Sequence, residues 1–148
     1  MKSKFPGLEE PSRGALRRHF AAIWQKLKNH EPLEGEDKVY ADLMQQHAVY
    51  HNTWEFADEL EGHEYDTETD VNPFVHIAFD AVIVNQVTLD EPRGIKNIYS
   101  RLRLKGLDHL DALHEMAGVF VTEFYEISRG RIPYSDERYL RELRKLVR

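Results

Sequence analysis

The stretch NPFVHIAFDAVIVNQV, Asn72 to Val87, decides how the fold of this chain is read. Asn72 is a favoured helix N-cap, and Pro73 suits the first helical position, where its missing N–H leaves no bond unmade. Apolar residues then occupy nearly every side of the helix, so little of it is expected to face water. Two polar residues, His76 and Asp80, interrupt the run one turn apart. At about 100° per residue they stand roughly 40° apart on the helix surface, with Cβ atoms about 6 Å from one another. Ile83 and Val87 continue their stripe, whereas Asn85 falls on the opposite side. The pair is therefore expected to point inward or into a crevice.

Helix signals extend in both directions, and strand alternation is almost absent. A first helix is expected from Ser12, an N-cap type, with Leu16, Phe20, Ile23, Trp24 and Leu27 along one side. A second is expected from about Gly35 to His51, aligning Tyr40, Leu43, Met44 and His47. Pro32 and Gly35 separate the two. Beyond Val87, Asp90 and Pro92 repeat the start signal for a basic helix that Gly106 ends. Asp108 caps the next helix, with Asp111 in its first turn, and this element is expected to run to Arg129. A last helix from Ser135 buries Leu140, Leu143 and Val147. The expected fold is all-α, a single-domain helical bundle of about six helices over the whole chain. Residues 1–11 are read as a flexible N-terminal segment and 55–71 as an acidic, loop-rich connection.

Composition narrows the function classes. At 148 residues, 41% hydrophobic and 31% charged, the chain is long and apolar enough for one packed interior. No apolar run has the length that spans a bilayer, so no membrane partner is expected. The opening MKSKFPGLEEPSRG lacks the apolar stretch of a secretory signal, and with no cysteine in the chain a cytoplasmic protein is expected. The absence of cysteine also removes disulfide scaffolds and thiolate zinc sites. A net charge of −6 argues against generic attraction to nucleic acid. The charge is uneven, however. Glu55 to Asp70 carries eight carboxylates and no Lys or Arg, while Arg93 to Lys105 carries five basic residues and no acid. A solvated acidic loop and a solvated helix face, attracting one another across the fold, account for both.

The histidines give the chemistry its direction. A buried carboxylate at position 80 needs a hydrogen-bond donor or a cation. His76 lies about four residues into its helix, where the positive end of the dipole favours the neutral imidazole that a metal requires. His114 shares a face with Leu110, Gly118, Val121 and Tyr125, expected to turn to the core, while Glu115 and Glu123 fall on flanks open to solvent. His47 and His51 form a further i,i+4 pair if the second helix persists. Side chains from three helices then aim at one place, as in the metal sites of helical bundles. The bland alternative is a hydrogen bond from His76, or from a neighbouring helix, to Asp80. His109 is read as assisting its helix cap, and His19, His30 and His63 sit in polar contexts.

VYH at Val49–His51, NPFVHIAFDAVIVNQVTLDEPRGI from Asn72, and LHEM leading to ISRGRIP together resemble a bacterial family known as a domain of unknown function, number eighteen forty-one. The likeness covers most of the chain. Members look like small helical proteins with no established activity. The resemblance implies a pattern of His-x-x-Tyr-His, met by His47, Tyr50 and His51. It also implies His-x-x-x-His where this chain has His76 and Asp80, and His followed four residues later by Glu where it has His114 and Gly118. Asp80 still offers a ligand atom; Gly118 does not. The departures reduce the implied two-metal arrangement to at most one ion.

Three functions are set side by side, and whether the chain is an enzyme stays open. The first is binding of one divalent metal, zinc, iron, nickel or manganese, through His51, His76, Asp80 and His114, with His47 as a further candidate. A coordination position left open would hold a water or a substrate, and Tyr50 or Tyr125 would hydrogen-bond to it. The second is a non-catalytic interaction module with structural histidines, meeting partners through its basic helix and the amphipathic RYLRELRKLVR. The third and weakest is RNA contact through Arg93, Lys96, Arg101, Arg103 and Lys105. Partners are otherwise unassigned, and a homo-oligomer is compatible with the sequence.

Overall fold

The computed structural model describes residues 13–65 and 72–148, and the regular elements among them are helical. Seven α-helices follow in order: α1 (Arg13–Lys28), α2 (Gly35–Gln46), α3 (His51–Glu55), α4 (Pro73–Leu89), α5 (Ile95–Leu104), α6 (His109–Ser128) and α7 (Asp136–Arg144). Short 3-10 turns cover Ala48–Tyr50 and Lys145–Val147. None of the helices is long and apolar enough to cross a membrane. Residues 1–11, the Ser12 cap and the end of the acidic connection, 66–71, lie outside the described residues. The chain divides into two compact units after Ala81, inside α4.

The unit up to Ala81 is built around Phe20 of α1. Its ring centroid lies 5.2 Å from Tyr40 of α2, 5.7 Å from Trp54 of α3 and 5.6 Å from Phe74 of α4. Such tilted and edge-on aromatic contacts add to the area that the rings bury. Trp54 is wholly buried, so its indole N–H needs an acceptor, and it donates to the Met44 carbonyl at 3.0 Å. Arg17, three residues before Phe20, is also wholly buried. Its guanidinium lies over the Phe74 and Tyr65 rings and donates to the carbonyls of Leu60 and His63, tying the loop after α3 to α1. Two described acids of the acidic run meet the same helix: Glu55 pairs with Lys28 and Trp24, and Glu61 pairs with Arg18. The cations that meet these two acids come from α1.

In the first unit α4 starts as its sequence predicts. Asn72 Oδ1 accepts from the N–H groups of Phe74 and Val75 at 3.0 and 3.3 Å. Residues 77 to 81 are all buried.

From Val82 onward, α5, α6 and α7 pack on one another around Ile98, Leu102, Leu113, Met116, Phe120 and Leu143. Asp108 caps α6 by accepting from Asp111 N–H, and Ser135 caps α7 by accepting from Arg138 N–H. Gly106, at φ +103°, takes the left-handed conformation just past α5. Three expectations change. α5 begins at Ile95, because Asp90 caps it from a distance, its Oδ1 accepting from Gly94 and Lys96 N–H. The buried stripe of α6 runs through Leu113, Met116, Phe120, Glu123 and Ile127, while Gly118 and Tyr125 face solvent. Glu123, expected on a wet flank, is buried because α7 brings Arg138 Nε to 3.0 Å from its carboxylate.

The buried Arg17 makes the strongest stability prediction. Arg17→Met should lower the unfolding free energy by about 2–4 kcal/mol, since it removes a buried charged donor from the Leu60 and His63 carbonyls. Arg18→Ala, which breaks the exposed pair with Glu61, should change it by less than about 0.5 kcal/mol. Urea denaturation of both variants is the measurement. Equal effects would show that the Arg17 bonds matter no more than surface charge.

Candidate metal centre

His47 stands where α2 stops. Its backbone, at φ −95° and ψ 70°, leaves the helix, and the Leu43 carbonyl accepts its backbone N–H at 3.1 Å. The same carbonyl lies 2.6 Å from Nδ1 of the His47 ring. A carbonyl oxygen can only accept, so Nδ1 carries the proton in that bond. The other nitrogen, Nε2, lies 3.1 Å from Oδ2 of Asp80. His76, one turn earlier on α4, brings its own Nε2 to 3.3 Å from the same oxygen.

Two imidazoles thus converge on one carboxylate oxygen, and the ligand atoms of the three residues lie within 4.8 Å of one another. Burial differs across the group. The side chains of His47 and Asp80 are 4% and 1% exposed, and that of His76 is 29% exposed. Solvent therefore reaches the group on the His76 side. Burial pulls the His47 pKa down, but the hydrogen bonds to Asp80 and Leu43 and the charge of Asp80 together outweigh it. The net direction is upward from the usual histidine value.

Tyr50 forms the aromatic wall. Its ring is nearly parallel to His47, with centroids 6.1 Å apart and 10° between planes, and meets His76 edge-on at 6.0 Å. Burial and then the charge of Asp80 raise its phenol pKa.

The structure brings together His47, His76 and Asp80 and sends His51 elsewhere. α2 does not persist to His51, so the expected i,i+4 pair with His47 never forms on one helix. Instead His51 Nε2 lies 3.1 Å from the Gln45 carbonyl, and its ring packs against Trp24 at 5.1 Å. His114 is half-buried on α6, in the unit after Ala81. Tyr125 is exposed beneath the Arg129 guanidinium. His109 Nδ1 lies 2.7 Å from the Tyr99 hydroxyl, which also accepts from Arg103.

Sequence reasoning missed the Leu43 carbonyl and underrated His47. The signal present was the alignment of His47 with Tyr40, Leu43 and Met44 on one face of α2, all of them buried in the structure. No glycine marks the helix end there. The stop is made by the histidine folding back on the carbonyl four residues earlier.

Three donors, two nitrogen and one oxygen, at these separations suit a cation. Ligand atoms about 2.0–2.1 Å from a tetrahedral ion stand about 3.4 Å from one another. The Nε2–Oδ2 distances of 3.1 and 3.3 Å lie close to that. The N–H of His47 that points away from the group is held by a backbone carbonyl, the usual outer support of a metal-ligating imidazole.

No curated protein and no solved structure matches the chain. A family model described as a domain of unknown function, DUF1841, matches residues 12–145, and the chain belongs to that family.

Proposed function

We propose that this protein holds one divalent transition-metal ion, zinc, iron, nickel or manganese, on His47, His76 and Asp80. The observation that carries the reading is the direction of the His47 ring. Its Nδ1–H is committed to the Leu43 carbonyl, which aims the Nε2 lone pair of the neutral imidazole at a carboxylate oxygen 3.1 Å away. Two lone pairs facing one another at that distance repel unless a cation or a proton lies between them. Nitrogen and oxygen donors in this mixture do not choose sharply among the four metals. An ion so held would act as a Lewis acid or, if iron or manganese, as a one-electron centre.

A second reading has one observation in its favour. Asp80 and Leu43 raise the His47 pKa, so a protonated His47 would donate from both nitrogens and satisfy Asp80 with no ion. The histidines would then be structural, in a helical module that works by contact with partners.

Elemental analysis of untagged protein purified without chelators separates the two. About one metal ion per chain is expected, falling to background in His76→Ala and Asp80→Asn. Protein that arrives metal-free and takes up none of the four ions on titration would leave the structural reading standing.

The pH dependence gives an independent check. A raised folded-state pKa means that His47 contributes stability in full below its unfolded value of 6.5, and that this is lost as pH rises through the higher folded value. The melting temperature of the metal-free protein should fall across that window. Zinc needs the neutral imidazole, so the rise in melting temperature on adding zinc should grow across the same window. A zinc increment that stays flat with pH would point to a proton as the occupant.

A further inference from the structure

We infer that the face of α5 beside the Lys145–Val147 turn docks a short acidic segment of another protein, with an apolar side chain among its carboxylates. This goes beyond the metal reading and does not depend on it. Arg101, Leu104 and Lys105 share one side of α5, within about 100° of one another. The 3-10 turn packs on the same helix, and Val147 and Arg148 join these three in lining a shallow recess of about 310 Å³. Lys105 fixes its shape by donating to the Leu146 and Arg148 carbonyls at 3.4 and 3.3 Å, which uses two of its three donors. At the other end of α5 the Arg144 guanidinium stands 4.0 Å from the Cβ position of Gly94.

The cations of this face are available. The ion pairs described in this unit use Arg131, Arg138 and Lys145, and Arg101, Arg144 and Arg148 form none among the described residues. Two acids that border the face are already engaged: Asp90 caps α5, and Glu142 pairs with Lys145. Lys145, with Arg141 and Arg148 behind it, holds the Glu142 carboxyl below its usual range, the mark of a positive field. Leu104 supplies the apolar half. It is 86% exposed and lines the recess together with Val147, so an apolar side chain seated there leaves water. The apolar side of α7, by contrast, is buried within its own unit through Tyr139, Leu140 and Leu143. Nucleic acid fits less well. None of the five lining residues is aromatic, so bases have no ring to stack on. The net charge of −6 also opposes a long polyanion.

Fluorescence anisotropy of the full chain with a labelled short peptide, a leucine pair flanked by glutamates, tests this. The peptide should bind, and more weakly as salt rises. Arg101→Glu should weaken it about tenfold and Leu104→Ser about fivefold, with far-UV circular dichroism and melting temperature as in the parent. Polyglutamate of the same length should bind the parent about fivefold more weakly than the peptide. No binding of the peptide at low salt would overturn the inference. Full affinity in Arg101→Glu would place the peptide elsewhere and overturn the assignment of this face. Tighter binding of an oligouridylate of equal charge would overturn it in favour of a nucleic-acid surface. Equal affinity for polyglutamate, with Leu104→Ser unchanged, would overturn the apolar half and leave a bare cationic strip.

Discussion

One carboxylate oxygen, Oδ2 of Asp80, organises the chemistry of this protein. It lies in a helix that is apolar on almost every side, and its residue exposes no surface. A charge in such a place is unfavourable by several kcal/mol or more unless donors or a cation meet it. His76 is supplied by the helix itself at i−4. His47 has to be delivered by the end of α2. The requirement at Asp80 therefore constrains where α2 may stop and how its end faces α4.

That end is made in an economical way. The Leu43 carbonyl, which the terminating helix would leave unsatisfied, accepts both the backbone N–H and the ring Nδ1–H of His47. Capping the helix and orienting the imidazole are one event. The chain then turns through Ala48–Tyr50 and places Tyr50 against the same ring, while His51 is carried away to Trp24. A continuous helix would have kept His47 and His51 on one face.

The same rule about buried charge governs the rest of each unit. Arg17 is satisfied by loop carbonyls and aromatic faces in the first. Glu123 is satisfied by Arg138 in the second, where Arg138 also donates to the Pro133 carbonyl. Each buried ion fixes a connection: the loop after α3 in one case, the turn between α6 and α7 in the other. Apolar packing would allow these segments several placements; a buried guanidinium with defined acceptors allows far fewer.

The sequence by itself determined the helices and most of their ends. Periodicity of apolar residues and the local chemistry of Asn72, Asp108, Ser135 and Gly106 act within one or two turns, so they are legible from neighbours alone. It also marked His76 and Asp80, because an ionisable pair in an apolar helix stands out without any knowledge of what surrounds it. Tertiary structure decided the rest. Whether His47 or His51 reaches Asp80 depends on a helix break that no glycine or proline announces. Whether Arg17 and Glu123 are wet or dry depends on acceptors and donors tens of residues away or across a turn. Local rules place a residue on a helix face, but a charge is stabilised or not by whatever that face meets, and the partner is chosen only when the chain folds.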